Sequence, residues 1–221
     1  MLDGITCLTF DCYGTLIDWE RGIRRAAEAL ASLAGCDLER LLAGREAADR
    51  ELTASGYVPY DEVLAVSLRR AAAAQGREVT DREALAFAAG MGTWPPFPDS
   101  PRALARLKAR YRLGILSNVR TAALEQSVAQ LGVIFDALVT AEEVESYKPR
   151  RAHFDEGLRR LGVGAVEVLH VAGSPYHDLA PAGEMGWRCA WIDRAGLAPR
   201  AGLAPTVVTS TLAELADILG C

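Results

Sequence analysis

The stretch Leu8-Thr9-Phe10-Asp11-Cys12-Tyr13-Gly14-Thr15-Leu16-Ile17-Asp18 decides how the rest of the chain is read. An apolar run, residues 5–10, ends abruptly in a carboxylate, and a Gly-Thr turn follows. Such a run bounded by a turn signal predicts a buried strand. In an open parallel sheet, ligands bind just beyond the carboxyl ends of the strands, which places Asp11 at the mouth of a cleft. A carboxylate there can attack carbon or phosphorus as a nucleophile. The residue two places on helps decide which, and it is Tyr13, not a second acid.

Beyond this turn, residues 19–90 are rich in Ala, Leu, Arg and Glu and carry no strand signal. Helices are predicted at 21–34, 38–54, 60–75 and 81–89, punctuated by Gly35, Gly56 and Gly76, with Thr80 and Asp81 capping the last. Helices alone, inserted after the first strand, predict a separate lid. Residues 93–101 hold four prolines. Proline fixes φ and removes a donor, so this segment is a stiff return linker. Strict alternation follows: helix 102–109, strand 113–116, helix 121–131, strand 137–140, helix 152–161, strand 168–171, helix 179–185, strands 188–192 and 206–208, and helix 212–219. That order predicts right-handed βαβ units on a parallel sheet.

A chain of 221 residues, half of them hydrophobic, can bury a sizeable core. The net charge of −5 argues against nucleic acid as a partner. Arginines scattered beside Glu and Asp read as solvated helix faces. The first strand is reached without a basic leader, and no apolar run approaches the ~18 residues of a membrane span. Cys7, Cys12, Cys36, Cys189 and Cys221 are odd in number and lack Cys-x-x-Cys spacing. They read as free thiols in a reducing cytoplasm, with Cys12 a small buried neighbour of Asp11.

Four strand ends carry polar groups where the pattern turns from apolar to loop. Asp11 follows the first, and Ser117-Asn118 follows Gly114-Ile115-Leu116. Lys148 lies in Glu145-Ser146-Tyr147-Lys148-Pro149, and Gly173-Ser174-Pro175-Tyr176-His177-Asp178 follows Leu169-His170-Val171. In a parallel sheet all four meet at one edge.

This set, in this order, resembles the haloacid dehalogenase superfamily over essentially the whole chain. Asp11 with Gly14-Thr15 matches the first motif, Ser117 the second, Lys148 before Pro149 the third, and the loop ending in Asp178 the fourth. The resemblance implies an α/β fold: a Rossmann-like parallel sheet with helices on both faces, and an inserted all-helical cap. Residues 1–17 and 95–221 would form the core, and residues 18–94 the cap with its return linker. Most members are magnesium-dependent phosphatases, with an acid two residues after the nucleophile and another five before the final acid. Here those places hold Tyr13 and Gly173. A phenol with a pKa near ~10 is a poor substitute for a carboxylic acid, and magnesium needs near-octahedral oxygen ligation. No metal or other cofactor is therefore expected.

Asp-Cys-Tyr-Gly-Thr-Leu with a later Ser-Asn looks like the metal-free L-2-haloacid dehalogenase branch. The resemblance implies that Asp11 displaces halide from the α-carbon of a short 2-haloalkanoate with inversion. Water then attacks the Asp11 carboxyl carbon of the ester and releases the 2-hydroxy acid. A halide leaves without a proton, so hydrogen-bond donors suffice to stabilise it.

Within this scheme Lys148, one of two lysines in the chain, keeps Asp11 ionised, as an opposite charge within ~4–6 Å does. Ser117 and Asn118 bind the substrate carboxylate or cradle the halide, or cap the helix that follows. Thr15 supports the carboxylate or its loop, and Tyr13 either closes over the substrate or belongs to the core. Asp178 holds Lys148, helps to activate the hydrolytic water, or only caps a helix. His177 is left outside the catalytic set. In the branch, Ser and Asn stand near Gly173 and Pro175; Ser174 remains. The branch also takes an arginine from the cap; Arg45 in Ala43-Gly44-Arg45-Glu46 is the choice here. Tyr57, Tyr60, Trp19 and Trp94 would form an apolar wall. The partner implied is a small halogenated carboxylate, and the resemblance implies a homodimer formed through the cap. Two other readings stay open: a phosphatase with atypical motifs, and a catalytically weak binding protein on the same scaffold.

Overall fold

The computed structural model describes residues 2–197 and 203–221. Six strands, β1 (Cys7–Phe10), β2 (Arg112–Ser117), β3 (Ala137–Thr140), β4 (Val168–Ala172), β5 (Arg188–Ile192) and β6 (Val207–Thr209), form one sheet in the order β3-β2-β1-β4-β5-β6. Every pairing is parallel. Strand order reverses between β1 and β4, and such a switch point opens a crevice at the carboxyl ends. Phe10 is level with Ile115 and Val171, so Asp11 emerges beside the ends of both neighbours.

Side chains alternate between the two faces of the sheet. Leu8, Phe10, Ile115 and Val171 join one apolar cluster with Leu104 and Leu107 of α5 (Ser100–Lys108), Leu124 of α6 (Thr121–Leu131), and Leu212 and Leu215 of α10 (Leu212–Ile218). Cys7, Leu116, Val168 and Ala172 join another with Phe154 and Leu161 of α8 (Ala152–Leu161) and with Trp187 and Trp191. Burial on both faces explains why these strands read as continuous apolar runs.

Between β1 and β2 lie α1 (Trp19–Glu28), α2 (Leu38–Ala54), α3 (Tyr60–Ala73) and α4 (Asp81–Ala89). Thr80 caps α4 in a reciprocal pair with Glu83. The helix predicted over residues 21–34 is a misreading: α1 stops at Glu28, Leu30 is extended, and Ala31–Leu33 is a separate 3₁₀ turn. The two chain crossings between this helical insert and the sheet run side by side. Asp18 N–H donates to the Pro95 carbonyl, and Phe97 N–H and Ser100 Oγ both donate to the Leu16 carbonyl. Two further elements escape a periodicity argument because they are too short: α7 (Ala141–Val144) and a π-helical turn over Pro175–Leu179. α9 (Ala180–Glu184) follows that turn directly.

Candidate active site

The site is built at the strand ends by two loops that touch. After Asp11 the chain curls back: Leu16 and Ile17 N–H both donate to the Cys12 carbonyl, which aims Thr15 at Asp11. Gly14 permits this with φ +97°, a region that L side chains rarely adopt. After β4, Gly173 lies against that loop so closely that a Cβ there would stand 2.7 Å from the Gly14 carbonyl oxygen.

Lys148 lies at the centre. Its Nζ donates to Asp11 Oδ1 at 2.9 Å, Asp178 Oδ1 at 2.6 Å and the Leu116 carbonyl at 2.7 Å. All three ammonium protons are engaged. Thr15 Oγ1 donates to Asp11 Oδ2 at 2.9 Å and accepts the Gly173 N–H at 2.9 Å. The side chains of Lys148 and Asp178 are each 1% exposed, whereas that of Asp11 is 12% exposed, so of the three only Asp11 can be reached. Asp178 Oδ1 also pairs with His170 Nε2 at 3.0 Å, and His170 Nδ1 pairs with Thr9 Oγ1 at 2.9 Å. Asp178 Oδ2 is buried without a partner.

One ammonium therefore serves two carboxylates. Burial opposes ionisation of Asp178, but Lys148 and His170 outweigh it and hold the carboxyl well below its ordinary range. For Asp11 burial prevails over Lys148, with repulsion from Asp178 added, and its affinity for a proton rises. Burial works against the Lys148 ammonium, yet the two carboxylates keep it charged above the usual lysine range.

The remaining residues singled out in the sequence take distinct places. The Asn118 amide clamps the Lys148 backbone, donating to its carbonyl at 3.0 Å and accepting its N–H at 2.7 Å. Ser117 is buried; its carbonyl takes His153 Nε2 at 3.0 Å, and its hydroxyl has no bond among the described residues. Burial pushes the His153 imidazole down to about 3, so it stays neutral. The Tyr13 hydroxyl bonds Ser127 of α6 at 2.8 Å, and its ring meets Trp94 edge-on. The phenol hydroxyl is thus engaged on α6, while the ring packs against Trp94. Ser174 Oγ accepts the His177 N–H at 3.1 Å and pairs with His177 Nδ1 at 3.2 Å.

On the helical side, Arg45 is 4% exposed. It donates from Nη1 to Asp49 at 3.0 Å and lies 5.4 Å over the Trp19 ring, while its Nε has no partner. Tyr60 donates to the same Asp49 at 2.8 Å and packs on Tyr147, the neighbour of Lys148. Trp19 in turn lies against Gly14. Thr9, His170, His153 and Asp49 were missed from sequence. A usable signal existed for His170: a polar residue within the apolar run Val168–Ala172 must find a partner when buried.

These donors do not suit magnesium. An ammonium stands between the two carboxylates, Gly173 has no side-chain oxygen, and no acid fits there against Gly14. Magnesium asks for near-octahedral oxygen ligation.

Residues 5–186 match the model of the haloacid dehalogenase-like hydrolase family. The chain is 27% identical to (S)-2-haloacid dehalogenase 4A of Burkholderia cepacia over 99% of its own length and 96% of that protein. A crystal structure of a dehalogenase superposes with a TM-score of 0.89 at 24% identity, covering all of both chains. The L-2-haloacid dehalogenase of Xanthobacter autotrophicus, with chloropropionic acid covalently bound, gives a TM-score of 0.84 at 22% identity over 98% of each chain.

Proposed function

Because the chain belongs to the haloacid dehalogenase-like hydrolases, we propose that it hydrolyses the carbon–halogen bond of short 2-haloalkanoic acids, without a metal, through an ester on Asp11. The observation that carries this reading is the state of Asp11. Its two oxygens are held by Lys148 and Thr15 at the switch point of the sheet, and neither Tyr13 nor Gly173 supplies a second acid. A held, partly exposed carboxylate of raised basicity suits in-line attack on an alkyl carbon. The departing halide needs donors and no proton.

In this scheme the unbonded Ser117 hydroxyl and the free Nε of Arg45 receive the substrate carboxylate and the halide. Asn118 fixes the loop that presents Lys148. Asp178 anchors Lys148, and the rings of Tyr13, Trp19 and Tyr60 exclude water. We divide the chain into a core of residues 1–17 and 95–221 and a cap of residues 18–94, hinged at the paired crossings. The five thiols are free, which supports a reducing, cytoplasmic setting, and the cap is the face assigned to a homodimer.

Chloroacetate, bromoacetate, fluoroacetate and (S)-2-chloropropionate, each assayed for halide release, test the reading. At least one is expected to turn over with EDTA present and to leave a mass increase on the Asp11 peptide after a short pulse. Asp11→Asn is expected to abolish both. Magnesium-dependent hydrolysis of p-nitrophenyl phosphate, with no halide from any of the four, would reject the reading in favour of a phosphatase.

A further inference from the structure

We propose that His177 is the general base for hydrolysis of the Asp11 ester, held in position by Ser174. The inference rests on the dehalogenase reading and concerns its second step, for which Gly173 and Pro175 supply no side-chain donor or acceptor.

The geometry begins at the end of β4. Gly173 N–H is tied through Thr15 Oγ1 to Asp11 Oδ2, so the next residue, Ser174, stands at the rim of the nucleophile loop. The π-helical turn then brings His177 back over it, with the Asp178 and Leu179 amides both on the Ser174 carbonyl. π-helical turns of this kind are frequent at functional sites. Ser174 Oγ accepts the His177 backbone amide and pairs with ring Nδ1, which orients the imidazole. Ring Nε2 has no partner among the described residues. The Tyr176 ring packs edge-on at 4.9 Å. The charges acting on the ring are those of Asp178, Lys148 and Asp11, together with Asp49 from the helical side. The ring thus stands beside Ser174, one residue from the Gly173 N–H that is tied through Thr15 to Asp11.

The other buried groups are unsuited to the task. A general base works best when its proton affinity matches the operating pH. Asp178 has its Oδ1 engaged twice, and, against burial, Lys148 and His170 hold its carboxyl below its ordinary range. Lys148 is held charged with every proton bonded. His177 is kept neutral by burial, with its affinity lowered from the ordinary histidine value. In the tautomer that carries its proton on Nδ1, Ser174 Oγ accepts that proton and the Nε2 lone pair is free to act.

Water oxygen bonds to Asp11 Cγ while one of its protons passes to His177 Nε2. The tetrahedral adduct then collapses, the bond from Cγ to the alkyl oxygen breaks, and that oxygen takes the proton back from the imidazolium. The 2-hydroxy acid leaves, and the Asp11 carboxyl sheds the second water proton to solvent. No redox change occurs.

The test mixes enzyme rapidly with (S)-2-chloropropionate and follows halide and the mass of the Asp11 peptide together. His177→Gln and His177→Asn are expected to keep a burst of one halide per site. Their steady-state turnover is expected to fall about 100-fold, the usual range for a lost general base, with ester persisting on Asp11. Wild-type ester hydrolysis is expected to fall as pH drops and His177 becomes protonated; the variants lose that limb. Ser174→Ala should keep the burst and show a smaller loss of turnover. A normal burst followed by unchanged turnover in both His177 variants overturns this proposal alone. Loss of the burst in them would overturn assignment to the hydrolytic step. Absence of a burst in wild type would overturn the dehalogenase reading and this proposal with it.

Discussion

On the sheet side of the cleft, Lys148 has all three protons bonded and both oxygens of Asp11 have donors. On the helical side, Arg45 is as deeply buried, yet it shares one carboxylate with Tyr60 and leaves its Nε unbonded. The two sides hold opposite kinds of order. Saturated hydrogen bonding fixes a nucleophile before substrate arrives, so little reorganisation is left for the chemical step. An unsatisfied buried donor carries a free-energy penalty that a ligand relieves. On the proposed reading the bonded Asp11–Lys148 pair serves attack, and the unbonded Arg45 Nε, with the Ser117 hydroxyl, serves capture.

The severest way to break this comparison is Lys148→Met. It leaves two neighbouring carboxylates without their cation in a buried site, and breaking such a pair typically costs ~3–5 kcal/mol. The expected result is a marked drop in the urea midpoint together with loss of halide release. A variant that stays fully stable would show that the network is not the electrostatic unit described. Arg45→Ala comes next. A lost hydrogen bond to a charged group is worth about 1.5–3 kcal/mol, so KM for haloacids is expected to rise roughly 10- to 100-fold, with a smaller change in kcat. An equal loss in kcat alone would move Arg45 from capture to chemistry.

The smallest effect is expected at Arg120, which joins Asp61 of α3 to Glu142 at the rim. Its side chain is 43% exposed, and exposed ion pairs contribute ~0–1 kcal/mol. Arg120→Ala should shift the urea midpoint slightly and leave turnover within about twofold. A large change in KM would instead make this rim pair part of cap closure.

Much of this architecture was legible in one dimension. The βαβ alternation, the all-helical insert and the proline-rich return are local patterns, and α2 and α6 begin and end where their periodicity and caps say. The end of α1 was not legible, because Leu30 breaks the helix without a glycine or proline nearby. The four polar strand ends could be named from sequence because a parallel sheet must bring them to one edge. The bonds among them could not. Asn118 and Tyr13 illustrate the limit: both sit at site positions, yet one clamps a backbone and the other reaches to Ser127. The partners of His170 are not its neighbours in β4: Asp178 reaches it when the π-helical turn folds back, and Thr9 when β4 lies beside β1.

The order of residues alone settled that Asp11 follows the first strand, that neither Tyr13 nor Gly173 carries an acid, and that helices interrupt a parallel sheet. Those are matters of residue type and period. The three-dimensional arrangement decided that one ammonium serves both Asp11 and Asp178, which hydroxyls stay free, and which partners the imidazoles take. Such properties depend on burial and on distances between segments far apart in the chain, and electrostatic strength in a protein follows from both.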